Sequence, residues 1–82
     1  MKTLKPNHTA RTQGAIHLEF IIPEGYKYMP QATLGGENWV DIHMKGFTED
    51  GDEVDQWGYA AGRILLSMAD SFRDYRVRLE KM

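Results

Sequence analysis

The sequence predicts an α+β domain, a small two- to three-stranded antiparallel sheet packed on one long C-terminal helix. Two patterns carry that expectation. Between 15 and 22, Ile16, Leu18, Phe20 and Ile22 alternate with His17, Glu19 and Ile21, the period of a strand with one buried face. Between 54 and 79, Val54, Trp57, Ala61, Ile64, Met68, Phe72, Tyr75 and Leu79 recur at steps of three and four. That spacing is an apolar stripe on a helix.

In chain order, residues 1–13 are polar, carry Pro6, Asn7 and Thr9 and show no period. They are expected as a flexible tail, which leaves 14–82 as a single domain. The strand 15–22 stops at Pro23, which cannot donate to a ladder. Residues 24–36 read as a long connection, with Tyr26, Tyr28 and Met29 adding apolar weight and Pro30 and Gly35-Gly36 as breakers. A second strand is expected over 38–47, with Val40, Ile42 and Met44 inward and Trp39, Asp41, His43 and Lys45 outward. Asp50-Gly51 marks a turn. Asp52 or Asp55 caps the helix, and Arg73, Arg76, Arg78 and Lys81 suit its negative end. Ile64, Met68 and Phe72 form its core side. Tyr75, Val77 and Leu79 also alternate with Arg76, Arg78 and Glu80, so the competing reading is a helix over 54–73 followed by a final strand over 75–81.

Composition narrows the function classes. The chain has 82 residues, 41% hydrophobic and 27% charged, the profile of a folded protein. It has no cysteine, which excludes a disulfide framework, a thiolate metal site and a cysteine nucleophile. No apolar run approaches a membrane span and no signal-like core opens the chain, so a cytoplasmic location and no membrane contact are expected. The net charge of −2 argues against a general nucleic-acid binder. The charge is uneven, with Glu37, Asp41, Glu49, Asp50, Asp52, Glu53 and Asp55 facing a single Lys45 in mid-chain, and both ends basic. Such polarity favours oriented docking, although solvated loops and dipole-matched helix ends are the simpler and preferred explanation.

Candidate chemistry is sparse. The acidic run 49–55 fails the calcium-loop pattern, because counting from Asp50 puts glycine second and Ala61 twelfth. His17, Glu19, Asp41 and His43 share the outward parity of the two strands. If 17 lies opposite 43 they form a weak metal candidate, but polar residues also belong on any wet sheet face. Ser67 and Ser71 have no histidine placed to activate them. Gly58 and Gly62 lie inside the expected helix, where each costs about 1 kcal/mol against alanine, so close packing there is required. No metal, no cofactor and no enzymatic activity are expected.

The reading that follows is a non-enzymatic interaction protein that binds and modulates or inhibits a larger protein. It is similar in character, with no shared motif, to small regulators and inhibitors of phages and mobile elements. Its expected contact residues are Glu49, Asp50, Asp52, Glu53, Trp39, Tyr75 and Leu79. A helix of about 26 residues is roughly 39 Å long against about 27 Å for an eight-residue strand, so Tyr75 and Leu79 overhang the sheet. Self-association as a homodimer, or a partner on that surface, is expected. The alternative class is a nucleic-acid-associated module using Arg73, Arg76, Arg78 and Lys81, and the third is a small enzyme or metal site on the sheet face.

Overall fold

Nine strands, and no helix among the described residues, build the protein. The computed structural model describes residues 2–54, 57–59 and 61–82. The strands are β1 (Lys2–Leu4), β2 (His8–Thr12), β3 (Ala15–Ile22), β4 (Tyr26–Thr33), β5 (Val40–Asp41), β6 (Lys45–Thr48), β7 (Glu53–Val54), β8 (Gly62–Ala69) and β9 (Asp74–Lys81). They form two antiparallel sheets, one in the order β1-β9-β4-β5 and the other in the order β2-β3-β8-β6-β7. One apolar cluster joins them: Ile16, Leu18, Phe20 and Ile22 of β3 and Ile64 and Leu66 of β8 from one sheet, Tyr28 and Ala32 of β4 and Tyr75, Val77 and Leu79 of β9 from the other. The architecture is all-β, with two sheets facing each other across that core.

The expected long C-terminal helix does not form. Residues 62–69 and 74–81 are strands β8 and β9, and the chain passes from one sheet to the other between them. The ambiguity lies in the stripe itself. A step of four residues keeps a side chain on the same face of a strand as well as of a helix, whereas a step of three inverts strand parity. Each three-residue step has one end outside the strands: 54 to 57 leaves β7, 61 to 64 enters β8 and 72 to 75 enters β9. Inside the strands the period is two: Ile64 and Leu66 are buried while Arg63 and Leu65 are exposed, and Tyr75, Val77 and Leu79 are buried. Gly62 has φ 98° and Trp57 φ 60°, neither of them helical. The final strand over 75–81 is present, but the helix 54–73 that preceded it in the competing reading is not. Of the two expected caps, Asp52 sits in the β6–β7 turn and Asp55 lies outside the described residues.

The strand over 15–22 stands as read, with its even-numbered positions from Ile16 to Ile22 buried. The strand over 38–47 does not. Its residues divide between β5 in the four-stranded sheet and β6 in the five-stranded one, and Val40 is 51% exposed. Residues 26–33, expected as connection, are β4, paired along its whole length with β9. Pro30 is tolerated there because its carbonyl, which faces the same side as the missing N–H, accepts from Ile42 N at 2.9 Å just past the end of β5. The segment expected as a tail supplies β1 and β2. Gln13 and Gly14, at φ 42° and 84°, make a two-residue hairpin between β2 and β3, and the turn type that matches strand twist needs positive φ at both positions. Among the described residues no helix is long and apolar enough to cross a membrane.

Candidate functional site

The five-stranded sheet turns one face to the core and the other outward. Register defines the outward face, because residues directly opposite each other share a face. One row crosses all five strands: His8, Glu19, Leu65, Phe47 and Glu53. The next row holds Ile21 opposite Arg63. Leu65 and Ile21 are each 49% exposed, at diagonal positions on neighbouring strands, with half-buried Phe47 beside Leu65. An outward sheet face is ordinarily polar, so this apolar diagonal is the informative feature.

Charged groups frame it. Arg63 Nε lies 2.7 Å from Glu19 Oε1, and Arg63 Nη1 lies 3.1 Å from Glu49 Oε1. Glu19 Oε2 also accepts from Asn7 Nδ2 at 2.9 Å. Beyond Glu49, the β6–β7 hairpin exposes Asp50, Asp52 and Glu53, and its turn is held by the Thr48 hydroxyl, which accepts from Asp52 N at 3.1 Å. Lys45 lies on the same strand, its ammonium 5.7 Å from the Phe47 ring centre. The face therefore has an apolar centre, an internally paired Glu19–Arg63–Glu49 chain and an acidic margin.

The outward face of the four-stranded sheet is built differently. Arg76 Cζ lies 4.0 Å from the centre of the Trp39 ring and Arg78 Cζ lies 4.6 Å from that of Trp57. Arg76 Nε donates to Gln31 Oε1 at 2.9 Å, Gln31 Nε2 donates to Asp41 Oδ1 at 2.8 Å, and Arg78 Nη2 is 3.6 Å from Asp41 Oδ2. These guanidinium groups are engaged by aromatic planes and polar partners, so two of the four residues expected to meet phosphate are already committed. Arg73 and Lys81 are exposed.

The remaining expected site residues separate. Tyr75 and Leu79, expected to overhang for a partner, are core residues at 2% and 4% exposure. Trp39, expected as an exposed contact residue, is half-buried with its ring against Arg76. The register assumed for the histidine quartet is not formed, because His17 faces Ala10 and Ser67 while Asp41 faces Gln31 in the other sheet. Among the described residues no group of three metal-ligating side chains comes together. The acidic turn residues Glu49, Asp50, Asp52 and Glu53 are exposed, as are His17, Asp41 and His43, which the register does not bring together. The sequence reading missed Leu65, Phe47 and Arg63, and the available signal was Ile21, an isoleucine at the outward parity of a strand.

A cleft of about 290 Å³ opens beside β5, walled by Ala32, Leu34, Val40 and Phe72 with Glu37 at its rim. It lies at the low end of ligand-pocket sizes and has few convergent polar groups. Thr33, which also lines it, already accepts from Gly36 N at 2.9 Å.

No family model, curated protein or solved structure matches the chain.

Proposed function

We propose that the protein is a non-enzymatic binding module that docks on a larger protein through the outward face of its five-stranded sheet and modulates or inhibits it. The observation that carries this is the apolar diagonal of Ile21, Leu65 and Phe47 bordered by Glu49, Asp50, Asp52 and Glu53. Apolar centres with polar margins are the usual composition of protein interfaces. The acidic margin selects a partner whose apolar spot is flanked by lysine or arginine, and it acts chiefly on encounter rate. A cytoplasmic location belongs to the same reading, and the cysteine-free composition accords with a reducing compartment.

The test is site-specific photo-crosslinking in the cells that make the protein, with the reactive residue at position 65 and, as control, at position 80 on the opposite sheet. The expected result is a discrete adduct from 65 alone that weakens in Glu49→Lys, Glu53→Lys protein. Equal adducts from both positions, or an adduct indifferent to the charge reversal, reject the proposal.

A further inference from the structure

Two sheets present four edges, and they are not alike. The four-stranded sheet is bounded by β1, of three residues, and β5, of two. The five-stranded sheet is bounded on one side by β7, of two residues. Its other edge is β2, five residues paired with β3 from His8↔Glu19 to Thr12↔Ala15. Among the described residues no strand follows β2 in the sheet. An antiparallel strand turns alternate N–H and C=O groups away from its partner, so an edge strand offers a row of unpaired groups. Proteins ordinarily blunt such rows by shortness, proline, charge or a covering segment. Three edges here are blunted by shortness. β2 contains neither proline nor glycine, and His8, Thr9, Arg11 and Thr12 are exposed. Its one charged side chain is drawn off the edge: Arg11 Nε is paired with Asp70 Oδ2 at 2.8 Å, and Arg11 Nη2 donates to the Arg73 carbonyl at 3.3 Å.

We propose that β2 is the interface of a two-fold homodimer, in which it pairs antiparallel with β2 of a second copy. The occupant follows from the strand itself. Centred on Ala10, the pairing sets Ala10 against Ala10, Thr9 against Arg11 and His8 against Thr12, with no like charges opposed. The smallest side chain falls at the axis, where facing Cβ atoms approach to about 5 Å. One isologous contact uses this edge on both copies and closes the assembly. The product is a continuous sheet of ten strands, five from each copy. Edge pairing alone buries less than a standard interface, so the dimer is weak and concentration-dependent. The axis runs normal to the sheet, which places both Ile21–Leu65–Phe47 faces on one side. The dimer does not depend on the function proposed for that face.

Sedimentation of the wild type over a concentration series, together with Ala10→Lys, Ala10→Glu and their equal mixture, tests this. Position 10 is half-buried on the outward side, so circular dichroism and melting temperature must first show each variant folded. The expected result is a wild type that dimerises, two single variants that stay monomeric and a mixture that dimerises again. The chain has no cysteine, so a single introduced thiol reports proximity. Ala10→Cys should oxidise to a covalent dimer about tenfold faster than Thr3→Cys on β1. A wild type that is monomeric throughout, equal oxidation rates at the two positions, or a dimer unchanged by both charge variants would each overturn the proposal. If Ala10→Lys does not fold, the oxidation comparison decides.

Discussion

The hydroxyl of Tyr75 donates to Asp70 Oδ1 at 2.9 Å and accepts from Phe72 N at 3.1 Å, so a core side chain on β9 holds the crossing from β8. Asp70 extends the link to β2 through Arg11, and its own amide donates to the Gly14 carbonyl at 2.7 Å. The crossing between β8 and β9, in the C-terminal third of the expected helix, is tied at three points, to β9, to β2 and to the hairpin beyond it.

Tyr75→Phe leaves the Phe72 amide without its acceptor and should cost about 1–2 kcal/mol near neutral pH. Burial, aided by Asp70, raises the Tyr75 phenol above its ordinary 10.0. A raised folded value means this stability is complete below the unfolded pKa and is lost as pH rises through the folded one. Urea titrations from neutral pH upward should show the gap between wild type and Tyr75→Phe narrowing only in alkali above about pH 10. A gap that narrows in acid would contradict the assignment.

Phe20 is fully buried, and Phe72 is half-buried on the cleft wall. Phe20→Ala should cost about 3–5 kcal/mol, and Phe72→Ala less than half as much. On the helical reading Phe72 was central, so equal losses in chemical denaturation would restore that view.

A Cβ built on Gly46 meets Leu66 Cδ2 and Val54 Cγ2, each at 2.7 Å. The leucine end can swing, but the β-branched valine is stiff. Gly46→Ala is expected to lose about 1–3 kcal/mol through overpacking of β6 between β7 and β8. An unchanged melting temperature would mean that β7 is not packed there.

Trp39 and Arg76 form a stacked pair at 4.0 Å. A double-mutant cycle on Trp39→Ala and Arg76→Ala should give a coupling of about 0.5–1 kcal/mol. Strictly additive losses would show that the ring and the guanidinium do not interact in solution.

Leu65→Thr should change stability by no more than about 0.5 kcal/mol, because the residue is half exposed and threonine keeps β propensity. With the reactive residue placed instead at position 21 of the same face, Leu65→Thr should weaken adduct formation. A large loss of stability would make Leu65 a core residue and remove it from the binding face.

The cleanest part of the fold to read was β3. Its alternation over 15–22 is strict, and the buried face falls where the pattern puts it. The competing reading of 75–81 was legible for the same reason, since Tyr75, Val77 and Leu79 keep period two. Of the candidate site, the exposure of Glu49, Asp50, Asp52 and Glu53 was legible from the Asp-Gly turn. The apolar diagonal was not, because Leu65 stands between Ile64 and Leu66 and Phe47 lies outside any alternating run. Such residues gain meaning only from the strands placed beside them.

What the sequence alone determined is local: which face of β3 is buried, that the chain reverses at Asp50-Gly51, and which segments are acidic. Alternation and turn chemistry act over a few residues and need no partner. Tertiary structure decided between helix and strand over 54–79, because the four-residue steps satisfy both periods and only pairing with β3, β4 and β6 discriminates. It also decided that residues 40–48 divide between two sheets, that Tyr75 and Leu79 turn inward, and that β2 is an edge strand among the described residues. Each of these is a long-range pairing, and its free energy comes from hydrogen bonds and buried area shared by segments far apart in the chain.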